Sequence, residues 1–298
     1  MSCRIAFMIT CLLLLACEDV IDVDLPETET RLIVNGLARV NLGDEFVPIA
    51  IQVTKTNGFF EEPTVTELER AVVLVGEPNP DSPDLLNLSP KILKEFVPGT
   101  GLYEPDTVGT VDDRIRTEFL NPNTVFFLII EHEGKRYAAQ TNYVPAVPID
   151  NAEQGFDTLF DEDDTEIKVT FTDIPEEKNH YVFDFGLGEF LAVDDQFIDG
   201  QQFEFSYFLE RDAEAGDQIE ISLMGADQQF FNYIDLLVEQ TQDDGGVFET
   251  PAVTPRGNVF DITGLDNIEI FDNVQRPESF ALGYFAVVQE YKYQITLQ

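Results

Sequence analysis

Cys17 is the residue of this chain whose type and position point most directly to a chemistry. It follows Leu14-Leu15-Ala16 at the end of an apolar run and opens an acidic one, Cys17-Glu18-Asp19. That is the form of a bacterial lipoprotein cleavage site, with Cys17 as the lipid-bearing first residue of the mature chain. Ile5 to Ala16 is apolar apart from Thr10, and Arg4 is the one side-chain cation before it. A run of that length suits a signal-peptide core and falls short of the about 20 residues that span a bilayer. Leu15 is bulkier than such a site usually carries. The other cysteines, Cys3 and Cys11, lie inside the signal segment. The mature chain is therefore expected to have no free thiol, no disulfide and no cysteine-based zinc site.

Few other residues could carry catalysis. His132 and His180 are the only histidines. Each reads as a surface or turn residue, and the nucleophile elbow that a serine hydrolase would need is missing. No phosphate-binding glycine-rich loop is present. Carboxylates are plentiful, so acid–base pairs for glycoside cleavage stay open by composition, although a chain without Trp is poorly equipped to stack sugars. Two acidic clusters offer the hard oxygens that suit calcium: Asp161 and Asp163 in one, Asp194 and Asp199 in the other. Neither has EF-hand spacing, and solvated loops explain both equally well. No cofactor is expected, and the sequence reads as a non-enzyme.

The chain has 57 acidic and 17 basic residues, a net charge of -40. Such a surface is repelled by nucleic acid and by anionic lipid, which removes nucleic-acid binding from the candidate functions. High net charge also accompanies disorder, but 44% hydrophobic residues and 25 Phe predict a packed core inside an acidic shell. No second apolar run approaches membrane length, so the lipid on Cys17 is the expected anchor.

The elements that would position these residues read mainly as β. Residues 1–16 form the signal peptide and 17–30 an acidic tether, extended and interrupted by Pro26. Residues 31–145 read as an N-terminal immunoglobulin-like β-sandwich. Its signals include Arg31 to Gly36, Phe46 to Thr56, and the short apolar run Ala71 to Gly76. The clearest hairpin joins Thr124–Ile130 to Arg136–Thr141 through Glu133-Gly134. Glu77 to Pro90, with four prolines, reads as a loop. Two further prolines, Pro145 and Pro148, mark the junction to a second β-rich domain, 146–298. That domain carries one amphipathic helix. Between Asp227 and Gln240, Phe230, Tyr233, Ile234, Leu237 and Val238 share one helical face, with Asp227 as N-cap. The chain is expected to end in two strands, Phe280–Val288 and Tyr291–Leu297.

Several of these landmarks together resemble a known family. They are the Cys17–Glu27 opening, Arg31-Leu32-Ile33-Val34-Asn35-Gly36, Gly134-Lys135-Arg136-Tyr137, and Val147-Pro148-Ile149-Asp150. Phe171-Thr172-Asp173, Gly257-Asn258-Val259 and Leu282-Gly283-Tyr284-Phe285 complete the set. In order and spacing they resemble the Bacteroidota outer-membrane lipoproteins catalogued as domain of unknown function 4249. Glu18 and Asp19 likewise resemble the acidic export signals that send such lipoproteins to the cell surface. The resemblance implies a lipid-anchored outer-membrane protein, often associated with TonB-dependent transporters, and brings no catalytic residues. The expected function is therefore an accessory one: binding a membrane-protein partner in uptake or envelope assembly. A structural subunit of a larger envelope complex is the alternative, and a surface hydrolase of glycan or peptide the third reading.

Overall fold

The computed structural model describes residues 30–56, 64–79, 81, 85–158, 165–209, 211–241, 255–265 and 280–298. The protein is mainly β, with one α-helix among the described residues. The first segment supplies β1 (Leu32–Val40), β2 (Ile51–Lys55), β3 (Thr64–Val65), β4 (Arg70–Pro78), β5 (Leu85–Glu95), β6 (Leu102–Pro105), β7 (Val125–His132) and β8 (Lys135–Val144). The second supplies β9 (Ile149–Gln154), β10 (Thr165–Thr172), β11 (His180–Asp184), β12 (Phe190–Asp194), β13 (Gln202–Leu209) and β14 (Gln218–Ala226). The helix α1 (Gln228–Thr241), β15 (Phe260–Asp261) and β16 (Leu282–Thr296) complete the chain.

The β7–β8 hairpin forms where alternation places it. Phe126, Leu128 and Ile130 turn inward, and Glu133 and Gly134 have φ of 49° and 71°. Two consecutive left-handed residues make the tight hairpin turn whose twist matches that of paired strands. The stretch Glu77 to Pro90 is not all loop, because β5 occupies its second half. Pro90 is accommodated because β6 pairs with β5 only at Leu93–Glu95. Opposite Leu74, Pro90 therefore lies on a locally free edge, where its missing N–H breaks no ladder bond.

Strand pairing runs β16-β1-β2-β6-β5-β4-β7-β8 and returns to β16 through Val287↔Tyr143 and Val288↔Val144. The sheet thus closes on itself around one core, in which Val34, Val53, Val73, Leu128 and Phe285 are buried. In the second segment the three-stranded sheet β13-β10-β9 packs face to face on β12-β11-β14-β16. Ile167, Phe171, Phe183 and Ile221 fill the space between the two sheets. Phe171 meets Tyr181 edge-on at 5.2 Å between ring centroids. The outer face of β11 and β14 is covered by α1, whose Phe230 and Ile234 meet Val182, Met224 and Ala286. Asp227 caps the helix: its Oδ1 accepts the Phe230 N–H at 2.7 Å.

The two expected terminal strands are one. β16 pairs in parallel with β1 over its first half and antiparallel with β14 over its second. It therefore belongs to both layers, and β15 likewise returns from the second segment to pair with β8. The 15 residues of β16 reach about 45 Å at the usual strand rise. One end lies beside Ile33, where the chain enters from the tether; the other lies beside Gln218. Among the described residues no helix is long and apolar enough to cross a membrane.

Candidate functional site

Cys17, Glu18, Asp19, Asp161 and Asp163 lie outside the described residues. The second acidic cluster is described, and its carboxylates are engaged with backbone. Asp199 accepts the Glu176 N–H at 2.9 Å, and Asp194 accepts the Gln196 N–H at 3.3 Å. Their neighbour Asp195 accepts the Asn179 N–H at 2.6 Å. Asp195 and Asp199 thus fasten two facing loops while Asp194 closes its own turn, and no three acidic, His or Cys side chains converge among the described residues. Both histidines, read as surface or turn residues, are buried, although His132 does adjoin the Glu133-Gly134 turn. His132 ends β7 with Nδ1 3.0 Å from the Glu67 carbonyl oxygen. His180 opens β11 with its ring 5.0 Å from that of Phe231, on the helix side of the sheet. His132 Nε2 also lies 3.5 Å from a Glu133 carboxylate oxygen, and none of these partners is a hydroxyl or thiol that either ring could activate.

The sequence landmarks of the second half converge on the first strand. Val34 pairs with Gly283, Asn35 with Tyr284 and Gly36 with Phe285. Gly283 has φ of 87°, and a Cβ there would lie 2.2 Å from the Val34 carbonyl oxygen. A Cβ on Gly257 would lie 1.6 Å from the Gly283 carbonyl oxygen. Asn258 then acts as a strand in miniature: its Oδ1 accepts the Phe285 N–H at 2.9 Å, and its Nδ2 donates to the Phe285 carbonyl at 2.7 Å. Asp173 works similarly, accepting the Tyr181 hydroxyl and, at 2.8 Å, the Gly200 N–H. Burial, with Asp173 second, pushes the Tyr181 phenol well above its ordinary pKa, so the hydroxyl stays a donor. These residues hold the fold together.

The unexplained chemistry is at the end of β16 away from the tether. The β11–β12 turn reads Gly186-Leu187-Gly188, with φ of 90°, 54° and 91°. Glycine adopts that region freely; leucine does so against its Cβ, at a cost of about 1–2 kcal/mol. Yet Leu187 is 90% exposed, so no packing among the described residues repays the strain. The turn is held from beneath. Asp184 accepts the Gly186 N–H at 2.8 Å. The Arg211 guanidinium donates to the Phe185 carbonyl at 2.8 Å and to buried Glu189 at 2.6 Å. Arg39 closes the far side, 2.6 Å from Asp184 and 3.4 Å from Glu290. A cleft of about 440 Å³ separates these groups from Asp217 and Glu220.

A second loop is built the same way. After β9, Phe156 is 92% exposed. The loop lies directly on the buried Glu166 carboxylate, which accepts the Asp157 N–H at 2.9 Å and the Ser206 hydroxyl. A Cβ on Gly155 would sit 1.8 Å from Glu166 Oε2, so glycine is what lets the backbone come this close. Burial alone would raise the Glu166 pKa; the Ser206 hydroxyl, the Asp157 amide and Lys168 outweigh it and lower it. The two loops belong to one end of the molecule. Phe185 stacks on Tyr207 at 3.8 Å, and Tyr207, Ile167 and Gln154 are neighbours in register across three strands. Two strand spacings and one sheet spacing put the two tips on the order of 15–20 Å apart.

In the Phe-rich runs Phe203–Leu209 and Phe280–Phe285, core is the expected fate of most rings: Phe203, Phe205 and Tyr207 pack against the second core, and Phe285 is fully buried. The available signal for the two tips was the Gly-Leu-Gly triplet between two strands and a lone Phe in the polar run Glu153 to Asp157.

Fold and site together define a mainly β-protein with two apolar tips, each mounted on a buried carboxylate. The chain matches the family described as Domain of unknown function (DUF4249) over residues 18–294, and it belongs to that family. No curated protein matches it.

Proposed function

We propose that the protein is a lipid-anchored accessory protein of the outer membrane that binds a membrane-protein partner. A TonB-dependent transporter is the partner the family resemblance favours, in uptake or envelope assembly. Cys17 carries the lipid, Glu18 and Asp19 direct display on the cell face, and no catalytic centre is involved. One observation supports this above the others: β16 links the end where the chain enters to an opposite end bearing two rigidly mounted, exposed apolar tips. A lipid at one end and a contact surface at the other is the arrangement of a docking module. Confinement to a membrane would raise the effective concentration of that surface beside its partner.

The test is isolation from native outer membranes in mild detergent. A membrane protein should be recovered in stoichiometric amount, and Cys17→Ala should abolish lipid labelling and membrane retention. Recovery of the wild-type protein as a lone monomer would refute the reading. Turnover of a glycan or peptide that is lost on changing one carboxylate would replace it with an enzymatic one.

A further inference from the structure

We propose that the docking surface is the end of the molecule remote from residue 30, that Leu187 and Phe156 are its two anchors, and that the partner is a protein presenting an apolar pocket rimmed by Lys and Arg. The inference rests on the docking role proposed above and adds to it the place and the chemistry of the contact.

Single exposed apolar side chains are ordinary on protein surfaces. Phe197 and Phe119 are such cases, at 83% and 70% exposure. Phe197 lies in the β12–β13 connection, at the opposite end of the second segment, and Phe119 in the first. Leu187 and Phe156 differ in two respects. They share one end, within the span of a standard interface patch of about 800 Å² per partner. Both are also mounted on backbone fixed from beneath: by half-buried Arg211 and buried Glu189 under one, and by buried Glu166 under the other. An anchor already held in position loses little freedom on binding, so more of the burial appears as affinity. A few buried apolar anchors can dominate an interface.

Charge selects the partner. Glu153, Asp157, Asp212, Glu214, Asp217 and Glu220 are all exposed at this end. The cations near them, Arg39, Arg211, Lys168 and Lys292, are each paired with a carboxylate. Glu220 is the carboxylate that Lys292 pairs with; Glu153, Asp157, Asp212, Glu214 and Asp217 have no cation among the described residues, and this acid is what a basic rim complements and what steers encounter. A second copy of this chain would set acid against acid. An anionic bilayer would repel the same rim.

The experiment uses the full chain, lipidated and in its native membrane, with a photo-crosslinking residue at 187, 156, 197 or 119. Positions 187 and 156 are expected to give adducts with one membrane protein, at a Lys- or Arg-bordered apolar site, while 197 and 119 give none with it. With the crosslinker at 156, Leu187→Gly should weaken capture on the order of tenfold while circular dichroism is unchanged. The triple change Asp212→Asn, Glu214→Gln, Asp217→Asn should lower capture at low salt and lose that effect at high salt. A protein adduct from 197 or 119 but not from 187 and 156 would overturn this placement and leave the docking role standing. Lipid adducts, or adducts with a second copy, from 187 and 156 would overturn the stated partner. No protein adduct from any position would overturn the docking role itself.

Discussion

Asn258→Ala should be among the most damaging substitutions available in this protein. The Asn258 carboxamide accepts the Phe285 N–H at 2.9 Å and donates to the Phe285 carbonyl at 2.7 Å and the Gln140 carbonyl at 3.1 Å. Phe285 lies in the interior of β16 and is fully buried, so alanine would orphan one N–H and one carbonyl away from water. Each such group costs about 1–3 kcal/mol. Gln140 is itself exposed and can turn to solvent. Asn258 and Gln140 also line a cleft of about 790 Å³, through which water can reach part of the vacated space. The two groups together would cost about 2–6 kcal/mol, and access of water places the expected loss at about 3 kcal/mol, in the lower part of that range. Urea unfolding followed by tyrosine fluorescence measures it, since the chain has no Trp. The midpoint should fall with an unchanged denaturant slope. For a chain of this size the melting temperature should drop by roughly 2–4 °C for each kcal/mol lost. Asn258→Asp should do at least as badly, because a carboxylate has no donor for the two carbonyls it would face. A loss below about 1 kcal/mol for alanine, or a neutral aspartate, would refute the view that this side chain completes the ladder at β16.

Leu187→Gly should raise stability by about 0.5–1 kcal/mol: relief of the left-handed conformation is worth about 1–2 kcal/mol, and the freer unfolded chain returns part of it. A melting curve that moved down would show that Leu187 packs within the fold. For Glu166 the pH dependence has a definite sign. Its folded pKa lies below the ordinary value of 4.5, so its contribution is present above that pH and is lost as pH falls through the folded value. The stability gap between wild type and Glu166→Gln should therefore be widest near neutrality and close in acid, and a gap independent of pH would sink the assignment.

Local signals predicted local structure well. The β7–β8 hairpin follows from strict alternation on either side of Glu133-Gly134, and α1 from five apolar residues on one face with Asp227 before them. In both, the stabilising contacts lie within a few residues of one another. Three features lacked such a signal. β5 was hidden by Pro90, whose placement depends on where β6 stops pairing. Closure of the first sheet depends on parallel pairing of β1 and β8 with β16, more than 140 residues distant in sequence and without a periodicity of its own. The two histidines flank turns in the sequence, yet one is buried by the segment around Glu67 and the other by α1. Burial was a property of neighbours that the sequence order does not bring near.

The same distinction separates the residues that identify this chain from those argued to serve it. Gly257, Asn258 and Gly283 leave a pattern because close backbone approach tolerates almost no alternative: a Cβ at either glycine would fall within 2.2 Å of a carbonyl oxygen. At the far tip the constraint runs the other way. Glycine would suit the position of Leu187 better than leucine does, so folding alone gives no reason for the side chain. The net charge of -40 bears on the same point. Two exposed apolar tips on a neutral protein would invite self-association, whereas acid around them repels a second copy that comes within the screening length of about 8 Å at physiological salt. Like molecules then repel at the distance where their tips would touch, and a basic partner is drawn in over that same distance. The acidic shell and the strained leucine thus answer one requirement: an apolar contact kept available without being satisfied by another copy of the same chain.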